Sequence, residues 1–401
     1  MTNLISYAVP VFFVAIAAEA LIGRARRPGP YRLGSAITDL DVGIASQVVD
    51  VFLKLIGLAA YAAVYERRWV TFPEGSAFPW VIGLVGIDFV YYWWHRASHV
   101  VNVLWAVHSV HHQSEDLNLA VALRQPAFEA LTIIPFHIPL ALLGVDPAVY
   151  VSCYAIDLIY QFWIHTELAG KLGWLEKVLN TPSSHRVHHG INPKYLDRNY
   201  GGILVIWDRL FGTYQPEEEP AVYGVTHPLA SYNPIWANFA PFADIGRLMR
   251  EAPPGTKLGV IFAHPGRAVR AAGATLEMKV DRRTWSKYDP STRNVSGYVL
   301  VHFAVLALAG GAFLSFAEKA PLTLAVVPGA LILASALALA AWTEGRPWAI
   351  HVDVARQLAV VALVAVILGA QASFATAVAA AAGTAVVFAA IFAAFRPRLA
   401  A

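Results

Sequence analysis

The stretch Asp88-Phe-Val-Tyr-Tyr-Trp-Trp-His-Arg-Ala-Ser-His99 carries the first of three histidine groups on which the reading of this chain turns. His108, His111 and His112 form the second. Asn180-Thr-Pro-Ser-Ser-His-Arg-Val-His-His-Gly190 holds the third, His185, His188 and His189, and His165 stands between the second and third. These residues are most of the chain's 14 histidines. Within each group the spacing is three or four, so each group is expected on one face of a helix, with its imidazoles pointing the same way. Neutral imidazole is the commonest metal-ligand side chain. Eight or nine ligands are too many for one zinc, which takes about four. They suit two iron-sized ions with positions left open for oxygen and substrate.

The composition around these groups is that of a membrane protein. Hydrophobic residues make up 57% of the 401 and charged residues 14%, and mean hydropathy is +0.51. Soluble domains run nearer 45–50% apolar and about 25% charged. A net charge of +3 gives no case for nucleic acid as a partner; the basic residues are expected at the cytoplasmic membrane face. The single cysteine, Cys153, sits in an apolar segment and excludes an internal disulfide framework or a cysteine-based metal site.

Taken in order, the apolar stretches predict an all-α, polytopic membrane helical bundle of about nine spans. A spanning helix needs about 20 mostly apolar residues. Leu4–Ile22 is the first and reads as an uncleaved span, because its positive cluster, Arg24, Arg26, Arg27 and Arg32, follows it. Val42–Tyr65 is the second and Pro79–Trp94 the third, ending in aromatic residues suited to an interface. Phe128–Leu143 and Ala148–Ile164 read as a hairpin of two spans. Four more close the chain: Tyr298–Phe316, Leu322–Trp342, Leu358–Ala370 and Phe374–Phe395. This count puts every histidine group, and Arg346, Arg356, Arg396 and Arg398, on the cytoplasmic side. The expected division is an N-terminal span (1–37), a catalytic domain (38–230), a cytoplasmic connecting segment (231–297) that includes Arg270, Arg282 and Arg283, and a C-terminal four-helix membrane region (298–401).

The three boxes in this setting resemble the fatty acid hydroxylase (sterol desaturase) superfamily of membrane di-iron enzymes. The resemblance is closer to its alkylglycerol monooxygenase branch. It runs from about Asp88 to Pro228 and includes Asp88–Arg96, Leu104–His108, His111–Leu119, Ala122–Gln125, Tyr160–Glu167, Asn180–Gly190, Asn199–Gly201 and Ile206–Thr213. It implies that His95, His99, His108, His111, His112, His185, His188 and His189 hold two iron ions, with His165 as a ninth ligand. His165 also has an independent argument: Asp157, Gln161 and His165 are spaced four apart, and a polar stripe inside a membrane helix is usually functional.

Ligating histidines generally donate their other N–H to a carboxylate or carbonyl. Asp88, one heptad before His95, is the foremost candidate, followed by Asp157, Asn199, Glu115, Asp116, Asn118 and Asp208. Arg124 and Gln125 are candidates for binding a lipid head group. His137 reads as a packing residue. Oxidising an unactivated C–H bond requires a metal cofactor, with the protein supplying position and electrostatics. The expected activity is O2-dependent hydroxylation of the alkyl chain of a membrane lipid. The resemblance further implies cleavage of alkylglycerol ethers to aldehyde and glycerol, with tetrahydrobiopterin as reductant. The alternative within the superfamily is a hydroxylase or desaturase of sterol, fatty acyl, sphingoid or carotenoid chains. With no haem or flavin domain in the sequence, either version calls for an external electron donor or pterin.

Overall fold

A computed structural model describes residues 4–26, 31–271, 280, 285–290, 296–371 and 374–399. Arg27, Arg282 and Arg283 lie outside the described residues, as do the side chains of Arg26, Arg270, Arg396 and Arg398. The described regular structure is helical: α1 (Leu4–Arg26), α2 (Leu33–Tyr65), α3 (Phe78–Val100), α4 (Asn102–His112), α5 (Glu129–Leu142), α6 (Pro147–Trp163), α7 (Pro182–His188), α8 (Ile206–Leu210), α9 (Pro234–Glu251), α10 (Lys257–Phe262), α11 (Pro265–Ala271), α12 (Ser296–Ala317), α13 (Leu322–Thr343), α14 (Ala349–Gln371) and α15 (Phe374–Leu399). The chain divides into two compact units. One contains Met1–Arg32, Phe52–Leu229 and Ala237–Lys287; the other contains Leu33–Val51, Ala230–Trp236 and Tyr288–Ala401.

By length and composition, α1, α2, α12, α13, α14 and α15 are able to cross a membrane. Their surfaces agree with that setting: Val14 is 70% exposed, Leu308 76% and Val366 69%. In water such faces would be unfavourable by about 25 cal/mol per Å² of apolar surface, and lipid removes that penalty. The three other expected spans differ. Helix α5 has 14 residues, about 21 Å at 1.5 Å per residue, against a hydrocarbon core of about 30 Å. Helix α6 has 17 residues and is also short. Helix α3 is long enough but trades apolar residues for Asp88, His95, Arg96 and His99.

Local sequence sets the helix ends that matter for the histidines. Helix α3 starts with Pro79 in its first turn and stops where Val101 turns extended. Asn102 then restarts the chain as α4; its amide nitrogen donates to the Ala263 carbonyl at 3.0 Å and its side chain to the Val260 carbonyl at 2.9 Å. Helix α6 opens on Pro147 behind Asp146, whose carboxylate accepts from Ala148 N at 2.8 Å. Helix α7 repeats the device with Thr181 and Pro182. The apolar core of this unit forms where the second half of α2 meets α3, α5 and α6, around Tyr61, Ile87, Leu140, Val145, Tyr150 and Cys153.

The second unit buries a polar knot among α12, α13 and α14. Asp353 accepts from Trp342 Nε1 at 3.0 Å, from Arg356 Nε at 2.8 Å and from the Tyr298 hydroxyl. Arg356 Nη2 lies 2.9 Å from His302 Nδ1. Through these bonds the Asp353–Arg356 pair of α14 is tied to Trp342 of α13 and to Tyr298 and His302 of α12.

Candidate metal centre

The nine histidines of the three boxes and His165 are all buried, and they come together as two adjacent sets. His95, His99, His108, His112 and His188 form one; His111, His165, His185 and His189 form the other. Within each set one ring nitrogen per residue lies within 4.8 Å of all the others. The sets do not follow the boxes. In His108/His111/His112, the first and third residues, four apart, join the five-histidine set, and the middle one joins the four-histidine set. In His185/His188/His189 the assignment is reversed. The single shared face expected from the spacing is therefore two faces. On a helix, position i+4 lies about 40° to one side of position i and i+3 about 60° to the other, so a short helix between two sites serves both. The sets touch at the seam, where the rings of His112 and His189 stack with centroids 4.4 Å apart.

Backbone carbonyls decide the tautomers. His95 Nδ1 lies 2.8 Å from the Tyr200 carbonyl and His188 Nδ1 3.1 Å from that of Arg198. In the other set, His111 Nδ1 lies 3.0 Å from the Arg124 carbonyl and His165 Nδ1 2.8 Å from that of Gln161. A carbonyl only accepts, so each of these imidazoles carries its proton on Nδ1 and presents a lone pair on Nε2. Yet His111 Nε2 and His165 Nε2 face each other at 3.2 Å. Two lone pairs at that distance repel, and only a cation between them and their neighbours makes the arrangement favourable. His95 Nε2 and His112 Nε2 both face His108 Nε2, at 3.0 and 3.2 Å. His99 Nε2 and His188 Nε2 are buried without a hydrogen-bond partner among the described residues. The donor set therefore fits transition-metal ions, one per histidine set, and all-imidazole coordination suits iron among them.

Burial keeps the rings neutral. It holds the His111 imidazole down to about 4 and that of His188 to about 3. It also lowers His108, His112, His185 and His189, with mutual repulsion among the rings adding to it. At neutral pH the ligands thus need lose no proton to bind a metal. For the metal-free protein the sign follows. The folded value lies below the unfolded one, so the unfolded chain takes up protons first as pH falls. Stability is fully present above about pH 6.5 and declines below it, by roughly 2 kcal/mol at pH 5 for one such histidine. A thermal midpoint of metal-free protein that stays flat between about pH 7.5 and about pH 5 contradicts this expectation.

The remaining candidate residues stand one layer out. Asp88 does not reach a histidine. Its carboxylate accepts from Ile203 N at 2.6 Å, Leu204 N at 3.3 Å and Trp207 Nε1 at 2.7 Å. Asp208 takes Tyr200 N at 2.7 Å, Gly201 N at 2.8 Å and the Thr213 hydroxyl at 2.7 Å. Asn199, left-handed at φ 57°, donates to the carbonyls of Ser184 and Gln215. Together these three shape the loop that presents the Arg198 and Tyr200 carbonyls to His188 and His95. Asp157 accepts from Gln161 Nε2 at 2.7 Å, and its other oxygen faces Gly202. A Cβ on Gly202 would lie 2.9 Å from that oxygen, so glycine lets the loop approach both aspartates.

Arg124 is buried at 2% exposure, and its guanidinium holds the Val110 carbonyl and the Gln113 side chain at 2.6 and 2.8 Å. It braces α4 from inside the protein. Gln125 donates to the Ala122 carbonyl. Asp116, buried at 3%, pairs with Arg32 and Lys287 at 3.0 and 2.6 Å. His137 packs against Tyr150, Nδ1 to hydroxyl at 2.9 Å, apart from both sets. Which carbonyls serve as partners is not readable from sequence, because any residue type supplies one. Sequence reasoning passed over Glu19, Thr166 and Arg186.

Long apolar helices able to cross a membrane, together with nine buried imidazoles gathered in two sets on α3, α4, α7 and the turn after α6, define a membrane protein with a candidate histidine metal centre. The model of the fatty acid hydroxylase family matches residues 80–213, the stretch that carries the boxes. The alkylglycerol monooxygenase of Xenopus tropicalis is 38% identical over 300 residues, 74% of this chain and 67% of that protein. The human alkylglycerol monooxygenase is 42% identical over 65% of this chain and 59% of its own length, and that of Danio rerio 41% over 65% and 59%. The chain thus spans about two thirds or less of these relatives. No solved structure matches it. The chain belongs to the fatty acid hydroxylase family, among the alkylglycerol monooxygenases, a family of oxidoreductases.

Proposed function

We propose that this chain is a membrane di-iron monooxygenase that cleaves alkylglycerol ether lipids, with one iron in each histidine set. The observation that carries the metal reading is the pair His111 and His165, each with its proton committed to a carbonyl and their lone pairs facing at 3.2 Å. The relatives' names support the substrate. When bound, iron supplies the activation of O2 that side chains lack. The chain's own groups hold the ligand tautomers, exclude water from the buried centre and bring an alkyl chain to it along apolar helices. Oxygen insertion at the carbon next to the ether oxygen, with two electrons and two protons from an external donor, gives a hemiacetal and water. The hemiacetal collapses to a fatty aldehyde and glycerol. Tetrahydrobiopterin is the proposed donor.

The proposed site faces the cytoplasm, in a layout of nine crossings. Glu19, in the last two turns of α1, meets Leu119 and Thr166 beside the histidines. It sits on the side of α1 that leads into the basic cluster beginning at Arg24, which the positive-inside rule places in the cytoplasm. The α5–α6 hairpin returns to its side of entry whether or not it crosses fully, so its short helices leave the parity unchanged.

The test is purified protein in detergent, loaded with iron and given an alkylglycerol, tetrahydrobiopterin and O2. Fatty aldehyde formed in step with pterin oxidation is the expected result. No aldehyde from protein holding two irons per chain rejects the substrate or donor. Failure to bind iron rejects the metal reading.

A further inference from the structure

His165 sits beyond the end of its helix. Helix α6 ends at Trp163, Ile164 caps it, and residues 164–169 run on as a turn. Helical hydrogen bonding therefore does not by itself fix a residue that the four-histidine set needs. The next residue, Thr166, is held at its hydroxyl and at its carbonyl. Glu19 of α1 accepts the Thr166 hydroxyl on Oε1 and, on Oε2, both Leu119 N at 2.7 Å and the Tyr31 hydroxyl. At the backbone of this turn, Arg186 Nη1 donates to the carbonyls of Thr166 at 3.0 Å and Ala169 at 2.8 Å. The rest of that guanidinium makes a two-pronged pair with Glu217, 2.7 Å at each contact. Arg186 is itself the residue after His185, whose Nε2 lies 2.8 Å from His165 Nε2. Glu19 is 6% exposed and Thr166 8%. A carboxylate inside an otherwise apolar helix is expensive and is expected to be functional.

We propose that Glu19 is a positioning residue for the metal centre. Acting through the Thr166 hydroxyl, together with the Arg186–Glu217 pair at the Thr166 and Ala169 carbonyls, it clamps the turn that carries His165 and so sets the iron affinity of the four-histidine set. The five-histidine set draws no ligand from that turn. This proposal rests on the two-iron reading, and it brings α1 into the catalytic apparatus.

The experiment is an anaerobic Fe(II) titration of the full chain in detergent, after iron has been stripped, with wild type, Glu19→Ala and Thr166→Val in parallel. Outer partners of metal ligands are typically worth 10–100-fold in affinity. One of the two irons is expected to bind about 10–100-fold more weakly in both variants while the other keeps its wild-type affinity. A role confined to packing would lower the thermal midpoint and leave the two affinities together. Wild-type affinity at both sites, or equal weakening at both, overturns the proposal. If Glu19→Ala does not fold, Thr166→Val, which removes one hydroxyl, decides alone. Fewer than two irons in the wild type is a different result: it rejects the two-iron reading, and the clamp with it.

Discussion

Alanine at His111 and alanine at His112, neighbours in the chain, are expected to weaken different irons. His111 belongs with His165, His185 and His189; His112 belongs with His95, His99, His108 and His188. Removing His111 takes a set of four ligands to three, and removing His112 takes a set of five to four. The first variant should therefore lose its iron more completely. Loss of outer partners alone costs about 10–100-fold in affinity or activity, so loss of a ligand should lower aldehyde formation by more than about 100-fold in both. The phenotypes should pair across the boxes: His189→Ala with His111→Ala, and His188→Ala with His112→Ala. Iron per chain, measured with the spectroscopic signature of the iron that remains, reads this out. If His111→Ala and His112→Ala lose the same iron, each box acts as a unit and the two-face arrangement is wrong.

That pairing marks the boundary of what the sequence makes legible. Ligand types and helical spacing are written in residue letters, so the nine histidines and the helical membrane class are readable. The stripe Asp157, Gln161, His165 is readable too, and Gln161 does bond to Asp157 at 2.7 Å. Its contact with His165 is through the backbone carbonyl, which carries no letter. The same holds for Tyr200, Arg198 and Arg124, whose carbonyls hold His95, His188 and His111. The expected partner for these rings is a carboxylate or a carbonyl, with Asp88 the foremost named candidate, and the carbonyls take the place. The aspartates instead act one step back, on the loop that supplies two of the carbonyls. Spacing also leaves open which face of a short helix meets which metal, because that depends on what lies on either side of it. The apolar runs Phe128–Leu143 and Ala148–Ile164 match α5 (Glu129–Leu142) and α6 (Pro147–Trp163) to within one residue at each end, and both helices are short for a full crossing. Glu19 reads as one charge in a span until the chain brings Leu119 and Thr166 to it.

Asp88→Ala is expected to be the most damaging change outside the histidines. The carboxylate is 2% exposed and accepts the N–H groups of Ile203, Leu204 and Trp207. Alanine leaves these half-buried donors without their acceptor. At about 1–3 kcal/mol for each unsatisfied group, the loss over three donors is about 3 kcal/mol or more. Asn is only a partial repair. It keeps one accepting oxygen but turns an NH2 toward either Ile203 N–H or Trp207 Nε1–H, and donor then faces donor. The consequence for the metal centre runs through the chain. Ile203 and Leu204 follow Tyr200 after Gly201 and Gly202, and the Tyr200 carbonyl holds the proton of His95 on Nδ1. If that loop relaxes, His95 is free to take the other tautomer and withdraw its Nε2 lone pair from the five-histidine set. Asp88→Ala should therefore lower the thermal midpoint and weaken the iron of that set, while the iron held by His111, His165, His185 and His189 keeps its affinity. Asp88→Asn should fall between the variant and wild type on both measures. Wild-type iron affinity in a destabilised Asp88→Ala protein would mean that Tyr200 stays in place without its support, and that His95 is oriented by its ring neighbours instead.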